Sequence, residues 1–82
     1  MAYGEFMETL GSAPRPPVLS PRQEQILTLI GEGMTNREIG EQLGVAEKTI
    51  KNAVTGLMAC LNVQRRSQAA VYAAVRRMRA EQ

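Results

Sequence analysis

Residues 35–61, T-N-R-E-I-G-E-Q-L-G-V-A-E-K-T-I-K-N-A-V-T-G-L-M-A-C-L, decide how this chain folds. Thr35 followed three residues later by Glu38 is a capping box, in which the hydroxyl accepts the Glu38 N–H and the carboxylate accepts the Thr35 N–H. A short helix therefore opens at Thr35. Ile39 and Leu43 give it an apolar stripe, and Gly44 follows as the residue able to take the positive φ with which a chain leaves a helix. Val45 is the apolar residue of the turn. Ile50, Val54, Leu57 and Leu61 then recur at i, i+4, i+7 and i+11, which predicts a second helix over about 47–61 with one buried face. The pair reads as a helix-turn-helix.

The opposite face of that second helix carries Lys48, Lys51, Asn52 and Thr55, again at helical spacing. Two cations, an amide and a hydroxyl projecting together suit a major groove, where Lys reads guanine O6/N7 and Asn bridges adenine N6/N7. Every amphipathic helix has a polar outside, so a merely solvated face is the competing reading. The capped helix before it, the glycine turn and the absence of any acidic residue from position 48 to position 80 favour DNA.

Eighty-two residues make one small domain with a modest core. No apolar run approaches membrane-spanning length and the N-terminus lacks a signal-peptide pattern, so a cytoplasmic protein without a membrane partner is expected. Cys60 is the only cysteine, which excludes an internal disulfide or a cysteine metal cluster within one chain; a buried thiol is expected. The chain has no His and no Asp, leaving no evident catalytic base, triad or metal set, so an enzyme is the weakest reading and no cofactor is expected. Without Asp it cannot itself carry a phospho-aspartate switch.

The formal charge is only +2, but it is unevenly distributed. Residues 1–47 set three arginines against seven glutamates, whereas from Lys48 onward seven cations stand against Glu81 alone. That asymmetry fits a polyanion-facing half.

Residues 1–17, with three prolines and two glycines, read as a disordered tail or linker remnant ahead of a domain over 18–82. Tyr3, Phe6, Met7 and Leu10 alternatively share the spacing of a short docking helix, which nucleation cost disfavours. Ser20, Pro21 and Gln23 start a first helix that buries Ile26, Leu27 and Ile30, flanked by Leu29, and stops at Gly31 or Gly33. After the helix-turn-helix, Asn62 suits a left-handed C-terminal position and Val63 tucks under the loop Gln64-Arg65-Arg66. Ser67 is then expected to cap a last helix running to about 80. On it, Val71, Ala74, Val75 and Met78 form an apolar stripe suited to a two-fold helix pair, although Ala70 and Ala74 are expected to pack on the domain's own core. The fold class expected is all-α, a four-helix bundle around a central helix-turn-helix.

Beyond these local readings, L-S-P-R-Q-E at 19–24, E-G-M-T-N-R-E-I at 32–39, T-I-K-N at 49–52 and R-S-Q-A-A at 66–70 stand in order. In this the chain resembles the LuxR-type (GerE/FixJ-like) DNA-binding domain of bacterial response regulators and small stand-alone regulators, over residues 19–78. The resemblance implies a bacterial, nucleoid-associated transcription regulator, with the third helix reading an inverted repeat as a dimer and the last helix forming the dimer contact through Val71, Ala74, Val75 and Met78. It also implies base contacts by Lys48, Lys51 and Asn52, and backbone contacts by Asn36, Arg37, Thr49, Thr55, Arg65, Arg66 and the Val45 N–H. Gly40 stands where the family usually has Ala, Ala46 where Ser or Thr caps the recognition helix, Ala53 where His or Tyr is frequent, and Cys60 where Lys is common. A second reading, from a different class, is a protein-interaction module like the fourth-region domain of sigma factors, acting through RNA polymerase or another protein.

Overall fold

A computed structural model describes residues 18–80. The expected tail at residues 1–17, and the alternative helix through Tyr3, Phe6, Met7 and Leu10, lie outside them. Among the described residues four helices stand in order: α1 (Pro21–Gly31), α2 (Asn36–Leu43), α3 (Glu47–Cys60) and α4 (Arg66–Ala80).

Local chemistry sets most of these boundaries. At the head of α1 the Gln23 N–H donates to Ser20 Oγ (3.1 Å) while the Ser20 N–H donates to Gln23 Oε1 (2.8 Å). Thr35 and Glu38 repeat the exchange at the head of α2, at 3.1 and 2.8 Å. Each box satisfies two amides that a bare helix start would leave without acceptors. The far ends are closed by left-handed residues: Gly33 after α1, Gly44 after α2 and Asn62 after α3. Behind Asn62, the Val63 N–H reaches back to the Met58 carbonyl and the Asn62 N–H to Ala59, the paired bonds of a Schellman end.

Helix α4 starts differently from the expectation. It opens at Arg66, so Ser67 lies inside its first turn and not at the cap. The Gln68 side chain takes over, its Oε1 accepting the N–H groups of both Gln64 and Arg65 at 2.9 Å. A glutamine at the third helical position reaches back over the start more readily than a serine one residue in.

The core is a single cluster: Ile26, Leu27, Leu29 and Ile30 from α1, Ile39 from α2, Ile50, Val54, Leu57 and Leu61 from α3, then Val63 and Ala69. Helix α1 packs chiefly on α4, and α2 on α3. Both contacts depend on small residues. A Cβ placed on Gly31 would lie 2.7 Å from that of Ala73, so the α1–α4 crossing needs glycine against alanine. A Cβ on Gly40 would lie 2.5 Å from the Val45 carbonyl, so the turn of the helix-turn-helix is closed over a bare backbone. Gly40 therefore answers to packing, and its helix-propensity cost of about 1 kcal/mol is offset there.

Two further expectations are corrected. Cys60 is exposed, because on a helix advancing about 100° per residue it falls roughly 90° round from the Ile50–Val54–Leu57 stripe. Ala74 is exposed as well, since the core side of α4 is formed by Ala69, with Ala70, Tyr72 and Ala73 partly buried, and Ala74 turns away with Val71 and Val75. Arg76 ties the helices together at the surface, its Nη1 lying 2.8 Å from Glu24 Oε1 on α1. The hydrogen bond to Glu24 holds the Arg76 guanidinium charged beyond its ordinary range, partly opposed by burial. Arg77 pairs more loosely with Glu32 at 3.5 Å.

Two stability outcomes follow from this architecture. Leu57 is fully buried, and Leu57→Ala is expected to cost about 2–5 kcal/mol, seen as a lower urea midpoint. Helix α3 has no side-chain bond at its Ala46 cap, so Ala46→Ser is expected to raise the midpoint by an equivalent of about 0.5–2 kcal/mol; an unchanged midpoint would mean the α3 amides already have a partner.

Candidate nucleic-acid interface

The outer face of α3 carries both lysines of the chain, Lys48 and Lys51. Ile50, Val54 and Leu57 anchor the inner face in the core, and helical geometry then sends Lys48, Lys51, Asn52 and Thr55 outward together. All four are exposed. Neither lysine has an ion-pair partner among the described residues, so both ammonium groups face solvent. Thr49 is also exposed, one turn from the uncapped start of α3. There the N–H groups of Glu47, Lys48 and Thr49 precede the first backbone bond of the helix, from the Ile50 N–H to the Ala46 carbonyl. Such amides, at the positive end of the helix dipole, suit an anion.

Two of the expected backbone contacts lack the donor they would need. The Val45 N–H donates to the Gly40 carbonyl at 2.8 Å, so the turn itself consumes it. The Thr55 hydroxyl donates back to the Lys51 carbonyl at 3.1 Å, leaving only lone pairs, which a phosphate oxygen does not want.

The remaining positions divide by how tightly they are held. Arg37, on the first turn of α2, makes a solvent-exposed pair with Glu41 at 3.6 Å, a contact of at most about 1 kcal/mol that a phosphate can displace. Arg65 is exposed in the loop before α4, with no ion pair among the described residues. Arg66 is different. Its guanidinium turns inward, donating from Nη1 to Asn36 Oδ1 (2.5 Å) and from Nη2 to the Met34 carbonyl (2.6 Å). The structure thus joins two expected site residues to each other, across 30 positions of sequence. No periodicity or local motif announces that pairing; the nearest sequence signal is only that each belongs to a segment with a family resemblance.

Away from α3, Val71, Val75 and Met78 are 58%, 38% and 62% exposed on the outer side of α4, with Ala74 between them. This apolar strip lies opposite the Ala69 side that meets the core, which gives α4 two separate faces.

Comparison with known proteins identifies the family. The family described as bacterial regulatory proteins, luxR family, matches residues 17–73. Over 55 residues the chain is 51% identical to the transcriptional regulatory protein LiaR of Bacillus subtilis, covering 67% of this chain and 26% of that protein. It is 46% identical over 55 residues to the DNA-binding transcriptional activator DevR/DosR of Mycobacterium tuberculosis, covering 67% and 25%. To the response regulator VraR of Staphylococcus aureus it is 39% identical over 56 residues, covering 68% and 27%. The chain thus matches about a quarter of the length of these curated relatives. With the capped α2, the glycine turn and the outward basic face of α3 in place, the chain belongs to the luxR family of bacterial regulatory proteins and carries that family's helix-turn-helix domain.

Proposed function

We propose that this chain is the DNA-reading part of a bacterial transcription regulator, binding duplex DNA as a dimer on an inverted repeat. The observation that carries the reading is the exposed Lys48–Lys51–Asn52 set, held on one side of α3 while Ile50 and Leu57 lock the other side into the core. With α3 in the major groove, Lys48 and Lys51 donate to guanine edges and Asn52 pairs with adenine. Arg37, Arg65, Asn36, Thr49 and the uncapped amides of α3 are assigned as phosphate contacts, which fix register without reading sequence.

The dimer is assigned to Val71, Ala74, Val75 and Met78. They form a strip too small for a strong free dimer, so duplex DNA supplies much of the association by holding two copies side by side. A chain of this kind works in the bacterial cytoplasm, with RNA polymerase or a regulatory protein as a further partner.

Selection from a random duplex pool at physiological salt tests the reading. An inverted repeat is expected to be enriched by the wild type, and Lys51→Ala to weaken binding to it by about 5–150-fold, the range of one base contact. Equal, weak, purely salt-dependent binding by both would instead favour the protein-interaction alternative. For the dimer, Val75→Glu is expected to abolish binding of a second copy to the full repeat while leaving half-site binding intact, read by gel shift. Cooperative two-copy binding by Val75→Glu would exclude this face of α4.

A further inference from the structure

We infer that Arg66 is a positioning residue for DNA binding, acting through Asn36, and is not itself a phosphate contact. The inference rests on the DNA-binding reading above and assigns a different role to one of its cations.

Arg66 begins α4, whereas Asn36 begins α2 directly after the Thr35 cap. One guanidinium fork spans the two helices: Nη1 donates to Asn36 Oδ1 and Nη2 to the Met34 carbonyl, both bonds being part-buried. A guanidinium has donors only, so the Asn36 amide can meet it only through Oδ1. Its NH2 group is thereby turned away from Arg66, and no partner holds it among the described residues. The consequence is a fixed donor at the first turn of α2, next to Arg37 and on the helix that precedes the recognition helix.

The electrostatics support the same role. Arg66 has no carboxylate partner among the described residues. It stands at the N-termini of both α2 and α4, where helix dipoles disfavour a cation. A part-buried fork placed there raises the positive potential around Asn36 and Arg37 while its Nη1 and Nη2 are spent on Asn36 and Met34. It also bolts α4, which carries the dimer strip, to the start of the helix-turn-helix. Holding Asn36 in one rotamer before DNA arrives removes an ordering cost from binding.

Arg66→Lys separates the two roles, because an ammonium remains a phosphate binder but cannot fork between two fixed acceptors. Binding of the full chain is measured on the duplex that the wild type selects, for wild type, Arg66→Lys, Arg66→Gln, Asn36→Ala and the double variant of Arg66→Lys with Asn36→Ala, as a function of salt. As a positioning residue, Arg66 makes Arg66→Lys and Asn36→Ala each about tenfold weaker, the double variant no weaker than either, and the salt slope of Arg66→Lys unchanged. Wild-type affinity for Arg66→Lys, with a slope lower by about one per protomer in Arg66→Gln, overturns the inference and makes Arg66 a phosphate contact. A double variant about a hundredfold weaker overturns it too, since independent effects multiply. Asn36→Asp supplies a check free of DNA: a carboxylate facing Arg66 at the start of α2 is expected to raise the melting temperature, and no rise would mean that the pair does not form in solution. Lys51→Ala is run alongside. If it loses nothing on the selected duplex the DNA-reading assignment itself fails, whereas its loss combined with full binding by Arg66→Lys removes only the role of Arg66.

Discussion

The aim of the recognition helix depends on a closure of a few ångströms between Gly40 and Val45. The Val45 N–H donates to the Gly40 carbonyl, and the Val45 carbonyl sits where a Gly40 side chain would begin. Left-handed Gly44 turns the chain between them. That closure brings Ile39 of α2 against Ile50 and its neighbours on α3, so the buried stripe of α3 has one place to go. Once it is seated, Lys48, Lys51 and Asn52 can only point outward. The chemistry of the surface is in this sense a by-product of how tightly the turn is packed.

Helix α4 shows how a small domain makes one element serve several ends. Its inner side is built from alanines, and the contact of Ala73 with Gly31 lets it lie close against α1. Its outer side keeps Val71, Val75 and Met78 in solvent. Its first residue, Arg66, reaches across to Met34 and Asn36. Core contact, an exposed apolar strip and a tie to the helix-turn-helix thus meet on one fifteen-residue helix.

A formal charge of +2 would not single this chain out as a polyanion binder, but the fold sorts its charges. Glu24 and Glu32, which lie in the acidic half, are turned toward Arg76 and Arg77 on the α1–α4 side. Glu41 covers Arg37 loosely. Lys48, Lys51 and Arg65 are left without acidic partners among the described residues. Local field, not net charge, is what a phosphate backbone meets.

The order and extent of the helices were legible in the sequence because the forces that set them are local. The Ser20–Gln23 and Thr35–Glu38 boxes act over three residues, the left-handed exits at Gly44 and Asn62 over one, and the Ile50–Val54–Leu57 stripe within a single helix. The basic face of α3 was legible for the same reason, as the complement of that stripe. The exposure of Cys60 follows from the same helical geometry, and the bond from the Val45 N–H to Gly40 closes within five residues; only the tertiary structure decided which side of α4 meets the core, leaving Ala74 outside, and that Gly31 must be bare to admit Ala73. The inward turn of Arg66 belongs with these, since its acceptors at Met34 and Asn36 lie some thirty residues away and are brought within reach only when α4 packs back over the start of α2.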